Sequence, residues 1–176
     1  MRKLIPVFCL ALAAVACDVS VSIQDPPTSG VPPVGNGSVI VGDSATVTQV
    51  IDGDTIDVRI NGTDYRVRYI GVNTPERDEA CYSEARNANV ALVQGQTVTL
   101  VRDVSETDTF GRLLRYVYVN GVNVNAQLVA QGFAEAVEYP PDTAQTASFR
   151  ELEAQARAAN LGCHPTGIFN DGSDVR

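Results

Sequence analysis

From Ser44 onward the chain breaks into short runs that alternate apolar and polar residues, "SATVTQVI", "DTIDVRI" and "YRVRYIGV", divided by Asp-Gly and Asn-Gly-Thr-Asp. Alternation with period two puts every second side chain on one face, and Asn-Gly accepts the positive φ angles of a tight hairpin. Three antiparallel strands follow. "TVTLV" and "LLRYVYV" are two further strand-like runs, the second turned by Asn120-Gly121. "YSEARNANVALVQG" instead places Ala85, Ala88, Val90, Leu92 and Val93 at helical spacing and stops at Gly95. "NVNAQLVAQG" and "SFRELEAQARAANLG" read as a short and a longer helix, closed by Gly132 and Gly162. This order predicts a mainly β fold with helices: a five-stranded barrel of the oligonucleotide-binding type (OB-fold) packed with about three α-helices, over residues 44–165.

The flanks have a different character. "MRKLIPVFCLALAAVACDVS" has two basic residues and then an apolar run from Leu4 to Val15, too short for a membrane span and of the form of a secretory signal over residues 1–16. Cys17 directly after Ala16 resembles a bacterial lipoprotein signal, with Ala14 where leucine is commonest; lipidation of Cys17 is the expectation, and release of a soluble exported protein the alternative. Residues 17–43, rich in Pro, Gly, Ser and Val, read as a tether, and residues 166–176 as a loose tail. Localisation to the cell envelope, or secretion, follows.

Export changes the reading of the cysteines. Cys9 and Cys17 belong to the leader, so Cys81 and Cys163 remain as a pair, a disulfide in an oxidising compartment and two buried thiols otherwise. These two cysteines and His164 fall short of the four ligands of a Cys/His structural zinc site, which argues against one, and His164 reads as a surface residue. The formal charge of −8 excludes a broadly basic nucleic-acid binder. Residues 46–165 hold ten arginines, no lysine and sixteen carboxylates. A polyanion must therefore be met by a local group of arginines or through a cation.

Three stretches supply such a group. "VIDGDTIDV" sets Asp52 and Asp54 around a glycine, which makes either a hairpin turn or one corner of a hard-metal site. "VRYIGVNTPER" places Arg68 on a strand that ends at Pro75, with Glu76 just beyond. "TDTFGRLLRYVYV" puts Arg112 behind Phe110-Gly111, where glycine permits a sharp corner. Two arginines, a glutamate and an acidic metal corner are the ingredients of phosphodiester hydrolysis: guanidinium forks on phosphate oxygens, a cation on the phosphoryl group, a carboxylate to take a proton from water.

Asp52-Gly53-Asp54-Thr55, Arg68 with Val72-Asn73-Thr74-Pro75-Glu76, Thr107-Asp108 with Phe110-Gly111-Arg112, and Asn125 with Leu128-Val129 and Gly132 resemble, in order and separation, the staphylococcal nuclease (thermonuclease) family. The resemblance spans about Ala45 to Cys163. It implies a calcium-dependent (Ca2+) endonuclease of DNA and RNA, acting on single-stranded or frayed nucleic acid and expected as a monomer. Asp54 matches the calcium-binding aspartate, the Thr74 carbonyl a further calcium contact, Glu76 the proposed general base, and Arg68 and Arg112 the phosphate-binding arginines. Asn73 stands where the family has a second calcium-binding aspartate, so an amide oxygen replaces a charge. Thr109 and Phe110 replace a lysine and a tyrosine, and the downstream tyrosine falls near Val137 or Glu138. Phe110 and Tyr139 are the aromatic faces left for a stacked base. The stretch from Glu76 to the first helix is shorter than in the family, and a Cys81–Cys163 bond would staple it to the carboxyl-terminal helix.

Simpler roles compete with these. Arg68 and Arg112 could be surface salt-bridge partners and Glu76 a cap; Arg59, Arg66, Arg77, Arg86, Arg102, Arg115, Arg150 and Arg157 read as solvated surface. The competing function is a catalytically weak nucleic-acid-binding barrel.

Overall fold

The alternating runs form strands, the first two burying mainly one face and the third exposed over its first half and buried on both faces at its end. The computed structural model describes residues 40–170; the signal, Cys17, nearly all of the tether and residues 171–176 lie outside them. Strands β1 (Asp43–Val50), β2 (Thr55–Ile60) and β3 (Thr63–Tyr69) form an antiparallel meander, and β5 (Thr97–Val101) and β6 (Leu113–Val119) extend it on the other side of β1. A register shift between Val47 and Gln49 marks a bulge in β1, which bends a strand and aids closure. The barrel closes where β3 runs parallel to β6, pairing Val67 with Leu113, Arg68 with Leu114 and Tyr69 with Arg115. These five strands make the expected OB-type barrel. Two short strands, β4 (Val72–Asn73) and β8 (Glu135–Ala136), form a separate antiparallel pair, and β7 (Val122–Asn123) extends β6.

Three helices accompany the barrel: α1 (Tyr82–Val93), α2 (Val124–Ala130) and α3 (Thr146–Ala158). The Asn123 side chain caps α2 by accepting from the Ala126 amide at 3.0 Å. Val47, Ile56, Val58, Val67, Leu100, Val117, Leu128 and Phe149 belong to one continuous core under strands and helices. Asn125, fully buried on α2, accepts from the Val117 amide and donates to the Ile70 carbonyl, tying the helix to both sides of the closure.

Three readings need correction. Arg115 is buried, not solvated: the β3–β6 pairing encloses it, and its guanidinium pairs with Glu106 and donates to the Leu114 and Glu106 carbonyls. The chain beyond residue 165 is not loose up to Asn170. Two 3-10 turns, His164–Thr166 and Ile168–Asn170, bring the buried Phe169 against Ala85 and Cys163. His164 is buried with it, the two rings edge to face at 5.2 Å.

Cys81 and Cys163 are bonded, with Cα atoms 5.6 Å apart. Cys81 is the N-cap of α1, and Cys163 lies beyond α3 at the start of the first 3-10 turn. The bond thus fastens the segment after Glu76 to the chain just past α3, closing a separation of 82 residues.

Candidate active site

The β1–β2 turn builds the first wall. Asp52 Oδ1 accepts from the Asp54 amide at 3.1 Å, a side-chain-closed turn that leaves the Asp54 carboxylate pointing inward. Gly53 lets this turn approach the next segment: a Cβ there would sit 2.6 Å from the Thr74 side chain. Asp54 Oδ2 accepts from the Thr74 amide (3.0 Å) and hydroxyl (3.1 Å), and Oδ1 from the Thr55 hydroxyl. Asp52 shapes the turn and Asp54 faces the site.

Arg68 reaches the same corner from the end of β3. Its Nη1 lies 3.1 Å from Asp54 Oδ2 and donates to the Tyr69 and Val72 carbonyls, both at 2.9 Å. Its Nη2 makes a long 3.4 Å contact to Asn73 Oδ1. One edge of the guanidinium is locked, the other lightly engaged. Val67, Arg68 and Tyr69 are all buried, so alternation sends Arg68 away from the core without exposing it. Burial pushes the Asp54 carboxyl up to about 6, against the pull of the Arg68 charge.

Asn73 Nδ2 donates to Glu135 Oε1 across the β4–β8 pair at 3.0 Å. Glu76 follows two residues past Thr74 and is exposed. Its amide donates to Glu79 Oε2 at 2.7 Å, so Glu79 caps this turn and the Glu76 carboxylate makes no hydrogen bond among the described residues. Partial burial, with the charge of Asp52, raises the Glu76 carboxyl, while Arg68 and Arg112 pull it down. Glu76 therefore lies within the field of both arginines.

Arg112 is held by its own turn. Asp108 Oδ1 accepts from the amides of Phe110 and Arg112, both at 2.9 Å, and Asp108 Oδ2 pairs with Arg112 Nε at 2.6 Å. Gly111, at φ 79°, makes the left-handed step. The terminal nitrogens of Arg112 make no hydrogen bond among the described residues, and its Cζ lies 5.6 Å from the Phe110 ring centroid. Beside this turn runs an open groove of about 620 Å³, lined by Gln49, Tyr65, Arg66, Phe110 and Arg112 among others. Phe110 is 83% exposed. Tyr139 does not line that groove; it is partly buried against the core and bridges to Asp142.

The oxygens available to a cation are the Asp54 carboxylate, Asn73 Oδ1 and the Thr74 carbonyl, all hard donors of the type calcium takes. No three His, Cys, Asp or Glu side chains cluster in metal-holding geometry among the described residues. The donor types suit a hard cation such as calcium, and Arg68 lies against two of them, 3.1 Å from Asp54 Oδ2 and 3.4 Å from Asn73 Oδ1. The roles of Asp108 and Glu135 escape the sequence reading. Asp108 had a local signal, an Asx residue before Phe-Gly; Glu135 had none, being 62 residues from its partner.

A profile of the staphylococcal nuclease homologue family matches residues 66–163. Endonuclease YncB of Bacillus subtilis (strain 168) is 37% identical over 146 residues, covering 78% of this chain and 68% of that protein. The thermonuclease of Staphylococcus intermedius is 34% identical over 126 residues, 68% of this chain and 75% of the relative. The micrococcal nuclease of Shigella flexneri is 35% identical over 128 residues, 66% and 70% respectively. Family profile, barrel and motif order agree: this chain belongs to the staphylococcal nuclease family.

Proposed function

We propose that this nuclease-family chain is an exported, calcium-dependent endonuclease that hydrolyses phosphodiester bonds of DNA and RNA, with a preference for single-stranded or frayed substrate. The observation that carries the reading is that Arg68 and Arg112 are each fastened along one edge and both act electrostatically on the unbonded Glu76 carboxylate. A binding module has no use for that carboxylate. Asp54, Asn73 Oδ1 and the Thr74 carbonyl would hold calcium, which when bound supplies positive charge to polarise the phosphoryl group.

The chain's own groups do the rest. Glu76 takes a proton from a water as the water oxygen bonds to phosphorus, and the bond to the leaving oxygen breaks, that oxygen keeping the electron pair and taking a proton from solvent. Arg68 Nη2 and the terminal nitrogens of Arg112 neutralise the charge that builds on the non-bridging oxygens. Phe110 offers a flanking base an exposed ring to stack on beside Arg112, whereas Tyr139, packed against the core and outside the groove that Phe110 lines, is not placed for the same use. Export is supported by the leader sequence and by the Cys81–Cys163 bond, which suits an oxidising compartment. Lipidation of Cys17 would then tether a monomeric domain to a membrane.

Digestion of single-stranded DNA by the full chain, with calcium and then with excess chelator, tests this reading. Cleavage that needs calcium is expected, and Glu76→Gln should lower kcat by about 10²–10⁴-fold while leaving DNA affinity near wild type. DNA binding without cleavage at any calcium concentration would instead favour the weak binding module, which the uncharged Asn73 motivates.

A further inference from the structure

Asn73 and Glu135 face each other in the β4–β8 pair, Asn73 1% and Glu135 7% exposed. An asparagine side chain offers an acceptor at one end and two donors at the other, and its neighbours decide which end faces which. Here both ends have charged neighbours. A carboxylate only accepts and a guanidinium only donates. With Nδ2 on Glu135 Oε1 at 3.0 Å and Oδ1 toward Arg68 Nη2 at 3.4 Å, both contacts are favourable. Turned over, the amide would set oxygen against a buried carboxylate and NH2 against a guanidinium, two repulsions in a site with little water to screen them. The weaker contact, to Arg68, would not fix the orientation alone. The carboxylate does.

From this geometry we infer that Glu135 is a positioning residue of the metal corner: it pins the Asn73 amide so that Oδ1 is presented to the Asp54–Arg68 side, and it contributes the negative charge that position 73 lacks. The inference rests on the calcium reading above. It also explains the asparagine: an aspartate at 73 would put two buried carboxylates face to face across the strand pair, where one of them could not stay ionised without a cation between them. Positions 73 and 135 act as one unit, with the charge on the partner strand. Partners of a ligating group that sit one layer back commonly change metal affinity by about 10–100-fold when removed.

The experiment uses the full chain with Glu135→Gln, Asn73→Asp and the double variant, and it has three readouts. In the metal-free protein, NMR should find the Asn73 side-chain NH2 slow to exchange with solvent in wild type and at least about tenfold faster in Glu135→Gln, because glutamine no longer dictates the amide orientation. Calorimetric titration with calcium should give a Kd raised about tenfold in Glu135→Gln. Asn73→Asp should lower the metal-free Tm and regain it with calcium, and adding Glu135→Gln should restore the metal-free Tm and bring calcium affinity above wild type. An Asn73 NH2 that exchanges equally fast in wild type and Glu135→Gln overturns the inference whatever the calcium result. So does an unchanged calcium Kd in Glu135→Gln, and in that case the nuclease reading stands untouched. Failure of wild type to bind calcium while the NH2 is protected by Glu135 would instead remove the metal reading, and the use proposed for Glu135 with it.

Discussion

Arg68 and Arg112, proposed above for the same task, are held by opposite means. Arg68 is buried, and its partners come from the β1–β2 turn, its own strand end and β4: Asp54, the Tyr69 and Val72 carbonyls, and Asn73. Arg112 is half-exposed and depends on one residue, Asp108, four positions earlier. The first corner exists only once the barrel has closed. The second is a five-residue turn whose hydrogen bonds are closed between Asp108 and Arg112. Charge and stability are therefore entangled at Arg68 and separable at Arg112.

The largest effect that could break this contrast is loss of each charge with side-chain length kept. Arg68→Met leaves the Asp54 carboxylate buried without an opposing charge, and removing one partner of a buried pair costs about 3–5 kcal/mol. Urea denaturation should show that loss alongside loss of cleavage. Arg112→Met also leaves a carboxylate only 7% exposed without its opposing charge, but Asp108 keeps the amide donors of Phe110 and residue 112, so stability should fall by about 1–3 kcal/mol, less than in Arg68→Met, while kcat falls about 10²–10³-fold. Equal destabilisation by the two variants would show that the Arg112 turn is not autonomous.

Legibility in the sequence follows the same division. The β meander, the helices and the Phe110-Gly111-Arg112 corner are local patterns, and the structure has them where the residues place them. Arg115 reads as one more polar residue on a strand until β3 pairs with β6 and encloses it. Phe169 reads as tail until the turn at His164 folds it back on Ala85. Glu135 carries no signal because its meaning is set by Asn73 on another strand. Arg115, Phe169 and Glu135 take their meaning from distant partners and are missed on that account, whereas the role of Asp108, whose partners lie within four positions, is missed despite its local signal.

The Arg112 turn offers an intermediate effect that sharpens the comparison. Asp108→Ala removes the acceptor of two amides and of Arg112 Nε at once. The arginine stays in place chemically but loses its aim, and misplacing a catalytic group by about 1 Å can cost about 10²-fold. The kcat/KM for single-stranded DNA should fall to that extent, with a stability loss of about 1–3 kcal/mol. Asp108→Asn keeps an oxygen for the two amides and should recover part of the activity. If Asp108→Ala leaves kcat/KM unchanged, Arg112 is aimed by something other than its turn.

The smallest effect is in the pH dependence of stability, and its sign is set by how the turn is built. Burial pushes the Asp108 carboxyl up, but the hydrogen bonds from the Arg112 side chain and amide, the Arg112 charge and the Phe110 amide outweigh it and hold it below the ordinary aspartate range. A carboxyl lowered in the folded state binds its proton more readily when unfolded, so its contribution is complete above the unfolded value of about 3.9 and disappears as pH falls through the lower folded value. Asp142 repeats the arrangement over a long range: burial raises it, and hydrogen bonds from Ser105 and Val104 outweigh that, with its Oδ1 accepting from their amides at 2.7 and 2.8 Å. Wild type should therefore exceed Asp108→Asn in unfolding free energy by a constant margin from about pH 7 down to the ordinary aspartate range. Below it the margin should shrink toward zero, and Asp142→Asn should show the same slope. A margin that persisted unchanged to the acid limit would mean that neutral Asp108 holds the turn as well as the ionised form, and that the charge at this corner serves Arg112 alone.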